Sequence, residues 1–478
     1  MAWRIGVDSG DTFIDVCLFD DSTGRIEVWK GPATPDDPAR GIAQSIEEAF
    51  AHAGDAAPRL SLRTVPPDPS AGMTGARRAG SLAGFDALIG FDMGGSKTHL
   101  ARLQDGQRTG EAGGAPDIRT LEIGGDSVAS VGSAPARTGS RLKIGPPGAG
   151  HDRSGPTVTD ANLVLQTLNP DTLLGGRLKL RPELAHAAIG ALAGTLGMDV
   201  PAAAQEILSA TTAGIADAIR AIPPPQEHDR GDETLVAFGG AGPLHAARLA
   251  RALGIARILV PPHPGTLGAL GKLLTDPHAD FAATGPVDLG AEALPVIAEA
   301  FGLLRHRAAV WFSEERVPAT GRRLTRSVEM SCSGRSSSGP GHELPVPDGP
   351  VTAATLETLA EEFAALHQRL HGFSAAGEKI QLVNFRVTAT GMVAKPGFQP
   401  HPDAGPEAAA ARTGHRELWL PEAGGWVTCP IHDRARLAAG NRIAGPALIE
   451  QADTATLVLP GMTARVEPYL SLVLEWDG

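Results

Sequence analysis

Two stretches of this chain put an aspartate, glycines and a hydroxyl at the tip of an apolar run: IGVDSGDTFIDV from Ile5 and IGFDMGGSKTHL from Ile89. Asp8 matches Asp92, Gly10 matches Gly94, and Thr12 and Ser96 agree in kind. An Asp-x-Gly turn presents backbone N–H groups beside a carboxylate; the amides suit phosphate oxygens and the carboxylate suits Mg²⁺ or its water shell. Glycine keeps side chains out of the way, so the backbone can approach the anion. Two such tips facing each other would clamp a triphosphate from both sides. A third turn, FGGAG at 238–242, opens a helix and suits an adenosine or α-phosphate end. The expected cofactors are ATP and Mg²⁺, with Asp8 and Asp92 as the catalytic acids and magnesium ligands. The expected nucleotide contacts are Ser9, Gly10 and Thr12, then Gly94, Gly95, Ser96 and Thr98, then Gly239, Gly240, Ala241 and Gly242. A single glycine loop is most often only a tight turn; the reading rests on the three together.

Other phosphate-binding patterns fit less well. GFDMGGSKT lacks the order and spacing of a Walker A loop, and GTLGALGKLL follows Gly271-Lys272 with Leu273 rather than a magnesium hydroxyl. No G-x-G-x-x-G opens a βαβ unit with a downstream acid, which argues against a dinucleotide fold. The net charge of −12 (42 basic against 54 acidic residues) excludes a basic nucleic-acid footprint. Cys17, Cys332 and Cys429 are too few and too far apart for a disulfide framework or a zinc cluster. MAWRIGVDSG runs straight into a strand, and no run of 18 apolar residues occurs, so a cytoplasmic protein without a membrane segment is expected.

The elements that must position these loops are legible. Residues 4–8, 14–19 and RIEVWK read as three strands, followed by a helix that starts at Pro38, carries Ile42, Ile46 and Phe50 on one face and stops at Gly54. This β-β-β-α order begins a ribonuclease-H-like half domain. After a proline-rich bridge around 55–72, a short helix over 73–83 leads to the second loop at 88–100. Helices are expected over 182–197 and 200–222, then a buried strand, the FGGAG turn, a helix and the strand ARILVPP. Leu356, Leu359, Phe363, Leu366 and Leu370 mark an amphipathic helix ending at Gly372, IQLVNFRVTATGMV reads as a long strand, and the last sixty residues alternate short strands with turns. The expected divisions are 1–72, 73–290, an α+β domain at 291–395 and a β-rich domain at 396–478.

The two loops, GGDSVA, PTVTDANLVL, VAFGGAGPLHAARLARALGI, ILVPPHPGTLGALGKLLTD, LVNFRVTATG and GPALIEQADTATLVLPG occur in an order that resembles the hydantoinase A / 5-oxoprolinase family. The resemblance implies an α/β fold: a ribonuclease-H-like (actin/Hsp70/sugar-kinase-like) ATPase core with a truncated first half domain, plus a β-rich C-terminal region. It implies an A-type subunit that uses ATP to phosphorylate the carbonyl oxygen of a cyclic amide, or of an enolised ketone in the related carboxylases. Hydrolysis or carboxylation would then be completed by a B-type partner subunit. A hetero-oligomer with that partner, or a homo-oligomer, is expected, the more so because a shortened half domain leaves strands at 4–30 without their usual neighbours.

The chain departs from the family pattern at instructive places. Where the family's first loop reads D-T-G-G-T-F-T-D, this chain has DSGDTFID, so Asp11 stands for a glycine beside the expected phosphates. The second loop, typically D-M-G-G-T-S-T-D, is DMGGSKTH, with Lys97 for a serine and His99 for the closing acid. DIRTLEIGGDS carries Arg119, Glu122 and Asp126 where the family has histidine and small residues. Asp8 and Asp92 lie only 84 residues apart, a separation that removes much of the first half domain. These departures support an alternative function, a catalytically degenerate subunit acting as scaffold or regulator. His245 reads as a helix-start packing residue or a catalyst, Asp160 and Asn162 as caps or substrate contacts, and Cys332 as chemically idle.

Overall fold

The computed structural model describes residues 3–20, 22–55, 68–103, 117–132, 142–146, 155–223, 232–333, 341–371 and 379–477. Most of the proline-rich bridge, parts of the glycine-rich stretch before residue 155, and Gly372 lie outside the described residues. The chain forms two compact units, one built from residues 1–109, 113–275 and 396–478, the other chiefly from 276–395.

The first unit opens with an antiparallel meander of β1 (Trp3–Ser9), β2 (Phe13–Asp20) and β3 (Ile26–Pro32), followed by α1 (Pro38–Ala53). Asp37 caps α1 by accepting from the Arg40 amide, Pro38 occupies its first turn, and Gly54 ends it at φ 80°, a left-handed conformation that glycine adopts without penalty. After α2 (Pro69–Ala83) the pattern repeats as β4 (Leu88–Met93), β5 (Thr98–Leu103) and β6 (Arg119–Leu121). A hairpin of β7 (Val128–Val131) and β8 (Leu142–Gly145) precedes the helices α3 (Val158–Val164), α4 (Pro182–Leu196) and α5 (Val200–Arg220). Then come β9 (Thr234–Phe238), α6 (Gly242–Leu253), β10 (Arg257–Val260) and α7 (Leu267–Leu274). Sheet order β6-β5-β4-β9-β10, antiparallel at β4–β5–β6 and parallel at β4–β9–β10, is the ribonuclease-H-like arrangement.

Burial on both faces explains why these strands read as continuous apolar runs. Ile89, Phe91, Leu235, Ala237, Ile258 and Val260 join a core with α3–α6, while Leu88, Val236, Phe238 and Leu259 join another with α2 and α7. The short first sheet is likewise covered on both sides: Ile14, Val16 and Leu18 face α1, and Cys17 and Phe19 join the α7 cluster. The apolar faces expected to lie open at residues 4–30 are thus covered from within the chain; the strands β1 and β3 remain the outer edges of that sheet.

The second unit pairs β11 (His278–Asp288), β12 (Arg322–Ser333), β13 (His342–Val346) and β14 (Lys379–Gly391) in the order β11-β14-β12-β13, with α8 (Ala293–Glu314) and α9 (Ala353–His371) supplying Phe301, Leu304, Leu359 and Phe363 to its core.

Residues 396–478 are β-rich, but they complete the first unit rather than standing apart. β15 (Arg412–Leu420), β16 (Gly425–Asp433), β18 (Ala447–Glu450) and β19 (Ala455–Val458) form one sheet, while β17 (Arg442–Ala444), β20 (Met462–Val466) and β21 (Leu472–Trp476) extend the central sheet beyond β10. Leu418, Leu448 and Leu457 share a core with α6, and Arg248 on α6 donates to both Glu422 oxygens at 2.9 and 3.2 Å. Among the described residues no single helix is long and apolar enough to cross a membrane.

Candidate functional site

The two loop motifs are two copies of one three-stranded device. Gly10 N–H donates to the Phe13 carbonyl at 2.9 Å, and Gly94 N–H donates to that of Lys97 at 3.0 Å, closing equivalent turns between β1–β2 and β4–β5. Asp8 stands opposite Asp15 and Asp92 opposite His99; Asp15 in turn stands opposite Lys30 on β3, and His99 opposite Thr120 on β6. Where the first copy makes an ion pair, Lys30 Nζ to Asp15 at 2.5 Å, the second makes a neutral contact, His99 Nδ1 to Thr120 Oγ1 at 2.9 Å.

Both turns and the FGGAG turn line one cleft of about 400 Å³. Its walls include Asp8, Ser9, Gly10 and Thr12 from the first loop, Asp92, Gly94, Gly95 and Ser96 from the second, and Gly239 and Gly240 from the third. Three expected contacts are not on that wall. Thr98 is fully buried and spends its hydroxyl on the Ile123 carbonyl at 2.6 Å. Ala241 donates its N–H to the Met93 carbonyl at 2.9 Å, and Gly242 is buried at the start of α6. A strand's residues alternate faces, which turns Thr98 inward when its neighbour Lys97 faces the cleft.

Asp11 and Lys97, which read as separate departures, are partners. The Asp11 carboxylate accepts from Ser96 Oγ at 2.8 Å and lies 3.5 Å from Lys97 Nζ, tying the two loops together across the cleft. Arg119 leaves the cleft and donates to the Ala218 carbonyl, Glu122 stays on the wall, and Asp126 lies behind the second loop, donating its N–H to the Gly95 carbonyl.

The cleft floor is crowded with carboxylates. Burial pushes Asp92 up to about 7, reinforced by the charges of Asp8 and Asp15. Burial raises Asp15 to about 6 despite Lys30, and raises Asp8 against the pull of Lys272 and Lys30. Lys30 and Lys272 are committed elsewhere, the first to Asp15 and the Gly265 carbonyl at 2.8 Å, the second to Asp68 at 2.8 Å. A hard dication on Asp8 and Asp92 would relieve this repulsion, so the donor set fits Mg²⁺. Among the described residues no group of three or more His, Cys, Asp or Glu could by itself hold a metal ion. That suits a magnesium that keeps water and phosphate oxygens as its remaining ligands.

Sequence reasoning passed over Asp15, Lys30 and Asp453. Asp15 closes the first loop motif and Asp453 lies within GPALIEQADTATLVLPG, both usable signals; Lys30, the last residue of RIEVWK, carried none. Asp453 accepts from the Gly265 N–H at 2.9 Å, and Thr454 donates to the Gly240 carbonyl at 2.8 Å, so the C-terminal strands brace the third loop. Asp160 forms a capping box with Thr157, its carboxylate accepting the Thr157 N–H at 2.8 Å, and so caps α3. His245 is buried beside Asn162, 3.3 Å away, with its pKa lowered to about 4 by burial, a neutral packing residue.

Three family models match in chain order: the hydantoinase/oxoprolinase N-terminal region over residues 4–65, hydantoinase/oxoprolinase over 52–281, and the hydantoinase/oxoprolinase C-terminal domain over 296–474. An uncharacterized protein of Methanocaldococcus jannaschii is 29% identical over 447 residues, covering 85% of this chain and 61% of its own. The caprolactamase subunit alpha of Pseudomonas jessenii is 29% identical over 411 residues, covering 80% of this chain and 58% of its own. The chain thus spans about three fifths of the length of these curated relatives. A nucleotide-free acetone carboxylase structure superposes with a TM-score of 0.80 at 17% identity, covering 99% of both chains, which shows a shared fold.

Proposed function

The chain belongs to the hydantoinase/oxoprolinase family, and from that premise we propose that it is an ATP-dependent A-type subunit that phosphorylates the carbonyl oxygen of a cyclic amide for hydrolysis with a B-type subunit. The observation that carries this reading is the convergence of three glycine turns and two half-buried aspartates on one cleft. The amides of Gly95 and Gly240 would hold the phosphates, with the hydroxyls of Ser9, Thr12 and Ser96 beside them, while the N–H groups of Gly10, Gly94 and Gly239 are spent on the Phe13, Lys97 and Pro264 carbonyls and shape the turns. Asp8 and Asp92 would hold the magnesium. Bound Mg·ATP supplies the transferable phosphoryl group and neutralises the charge that develops on it. The protein's part is positioning: Lys30 pins Asp15 to the Gly265 backbone, and Gly239 at φ 79° leaves room for Asp92, whose oxygen would stand 2.4 Å from a Cβ there. The likeness to acetone carboxylase keeps an enolised ketone as the alternative acceptor. Isothermal calorimetry with ATP, ADP and a non-hydrolysable analogue, with Mg²⁺ and with or without a co-expressed B-type subunit, tests the reading. Binding at micromolar to millimolar strength is expected, and no heat under any of these conditions would overturn it.

One contact favours a second reading, a subunit retained as scaffold or regulator. The Asp11 carboxylate engages Ser96 and Lys97, two groups a phosphate would use. A carboxylate about 5 Å from a phosphate charge opposes it by roughly 3 kcal/mol at an effective dielectric near 20. The exposure of the Asp11 side chain, 59%, reduces this. Asp11→Gly should therefore tighten Mg·ATP binding by about tenfold, about 1.4 kcal/mol, because it removes the charge and frees Lys97. Calorimetry on the variant decides: unchanged affinity would mean that no phosphate lies near this loop.

Partnership follows from the same proposal, since hydrolysis would finish on the other subunit. A complex burying well over about 1,000 Å² in total is expected. Light scattering on the protein alone and co-expressed with a B-type subunit should show an assembly larger than one chain; a monomer in both cases would refute it.

A further inference from the structure

A second cavity in the first unit, about 530 Å³, adjoins the cleft: Lys30 lines both, and Thr266 of the cavity directly follows Gly265 of the cleft. Nothing in the proposed nucleotide chemistry uses it, yet its wall is chemically specialised. Arg434 is only 7% exposed; its Nη2 donates to the Leu470 carbonyl, but its Nε is buried with no acceptor. Arg177 stacks over the Trp29 ring with its guanidinium carbon 3.9 Å from the ring centre. Its remaining bonds go to neutral carbonyls, Leu174 at 2.9 Å and Lys30 at 2.7 Å. Among the described residues neither arginine forms an ion pair. Gln451 also lines the cavity and has a buried Oε1 without a donor.

Two acids act on Arg434: Glu467, which lies off the cavity wall and accepts from the Tyr469 and Ser471 amides, and Asp453. Asp453, the one carboxylate among the described lining residues, is satisfied by neutral donors, the Gly265 N–H at 2.9 Å and Gln451 Nε2 at 2.7 Å. Two guanidinium groups therefore face a space whose acid is already engaged, and a buried guanidinium with an unmet donor is costly to leave so. An apolar part of the wall comes from Leu174, Leu437 and Leu470 beside the indole of Trp29, and His52, His263, Lys30 and Thr266 add polar groups to the rest. Guanidinium groups favour planar, bidentate oxyanions, and the apolar wall favours a hydrocarbon body.

We infer that this cavity is a binding site for a small organic acid, its carboxylate held by Arg434 and Arg177 and its apolar body against Trp29 and the leucines. The site is distinct from the nucleotide cleft and stands whether or not that cleft binds ATP. An occupant would nevertheless press on the cleft's own supports, because Asp453 holds Gly265 and Lys30 holds Asp15.

The test uses the full chain without nucleotide, so that its outcome is separable from the nucleotide reading. Isobutyrate and cyclopentanecarboxylate are titrated by calorimetry and thermal melting against their neutral amides, isobutyramide and cyclopentanecarboxamide. Both acids should bind saturably and raise the melting temperature, and the amides should not. Arg177→Gln, with its melting temperature without ligand measured alongside because Arg177 also stacks on Trp29, should weaken acid binding by at least about tenfold, the factor one charge-assisted hydrogen bond supplies. Arg434→Gln should do the same. Absence of binding, equal binding of acids and amides, or wild-type affinity in Arg177→Gln would overturn the assignment.

Discussion

Asp92→Asn is expected to lower ATP turnover by the partnered enzyme at least about hundredfold, the upper range for losing a residue that orients a metal, and yet to raise the melting temperature of the free protein at pH 8. The two effects share a cause. Asp92 is pushed up to about 7 by burial first, then by Asp8 and Asp15, so the folded state holds a proton that the unfolded chain releases near pH 4. A raised carboxyl contributes stability below the unfolded value and loses it as pH rises through the folded one. Wild-type stability is therefore eroded between about pH 4 and 7, and asparagine, which keeps the shape without the charge, escapes that loss. The stabilisation of the variant should be larger at pH 8 than at pH 6. Asp15, pushed up to about 6, titrates in both proteins and so largely cancels in the comparison. Unchanged turnover would remove Asp92 from the metal role, and melting temperatures equal to wild type at both pH values would show that its carboxylate is well solvated.

Gly271→Ala should leave little folded protein. A Cβ at Gly271 would lie 1.8 Å from the carbonyl oxygen of Ala71, a backbone atom of α2 that no rotamer change can move aside. The cost exceeds the ~1–3 kcal/mol of ordinary overpacking because two helices must separate. This glycine belongs to a row spaced three residues apart: Gly265, in the turn just before α7, rests on Asp453, and on α7 itself Gly268 rests on Asp8 and Gly271 on α2. Gly6 on β1 has the same need, since its Cβ would meet the Ala269 carbonyl oxygen at 2.1 Å. Gly190→Ala on α4 is the counter-case: nothing lies within 4 Å, and alanine should stabilise by about 0.5–1 kcal/mol through helix propensity. Denaturant midpoints and soluble yield of the two variants report the contrast. A Gly271→Ala protein that melts like wild type would show that α2 and α7 do not cross this closely.

The sequence by itself determined the repeated loop, the strand order around it and the family. Those features are written locally: an apolar run before Asp-x-Gly, Pro38 and Gly54 bounding α1, and the FGGAG turn before α6 each follow from short-range backbone preference and burial. Asp8, Asp92, Gly10, Gly94, Gly95, Gly239 and Gly240, singled out in the sequence, line one cleft because strand tips in a ribonuclease-H-like sheet converge, whereas Gly242 of the third turn is buried at the start of α6. Tertiary structure alone decided what depends on residues far apart in the chain. Asp11 and Lys97 read as two separate departures until a distance of 3.5 Å made them a pair. Thr98 read as a phosphate hydroxyl until the β5 pleat turned it to Ile123. The last eighty residues read as a domain of their own, yet strand pairing of β21 with β10 added them to the core sheet, since an edge strand's free N–H and C=O groups accept any complementary partner the chain can deliver. Lys30 became a site residue because β3 set it opposite Asp15, and Arg434 and Arg177, 257 residues apart in number from neither motif's signal, became one cavity wall only when the fold brought β16's end and the loop after α3 against β3. Long-range pairing and burial have no local signature, which is why the glycine loops were legible in the sequence and the second cavity was not.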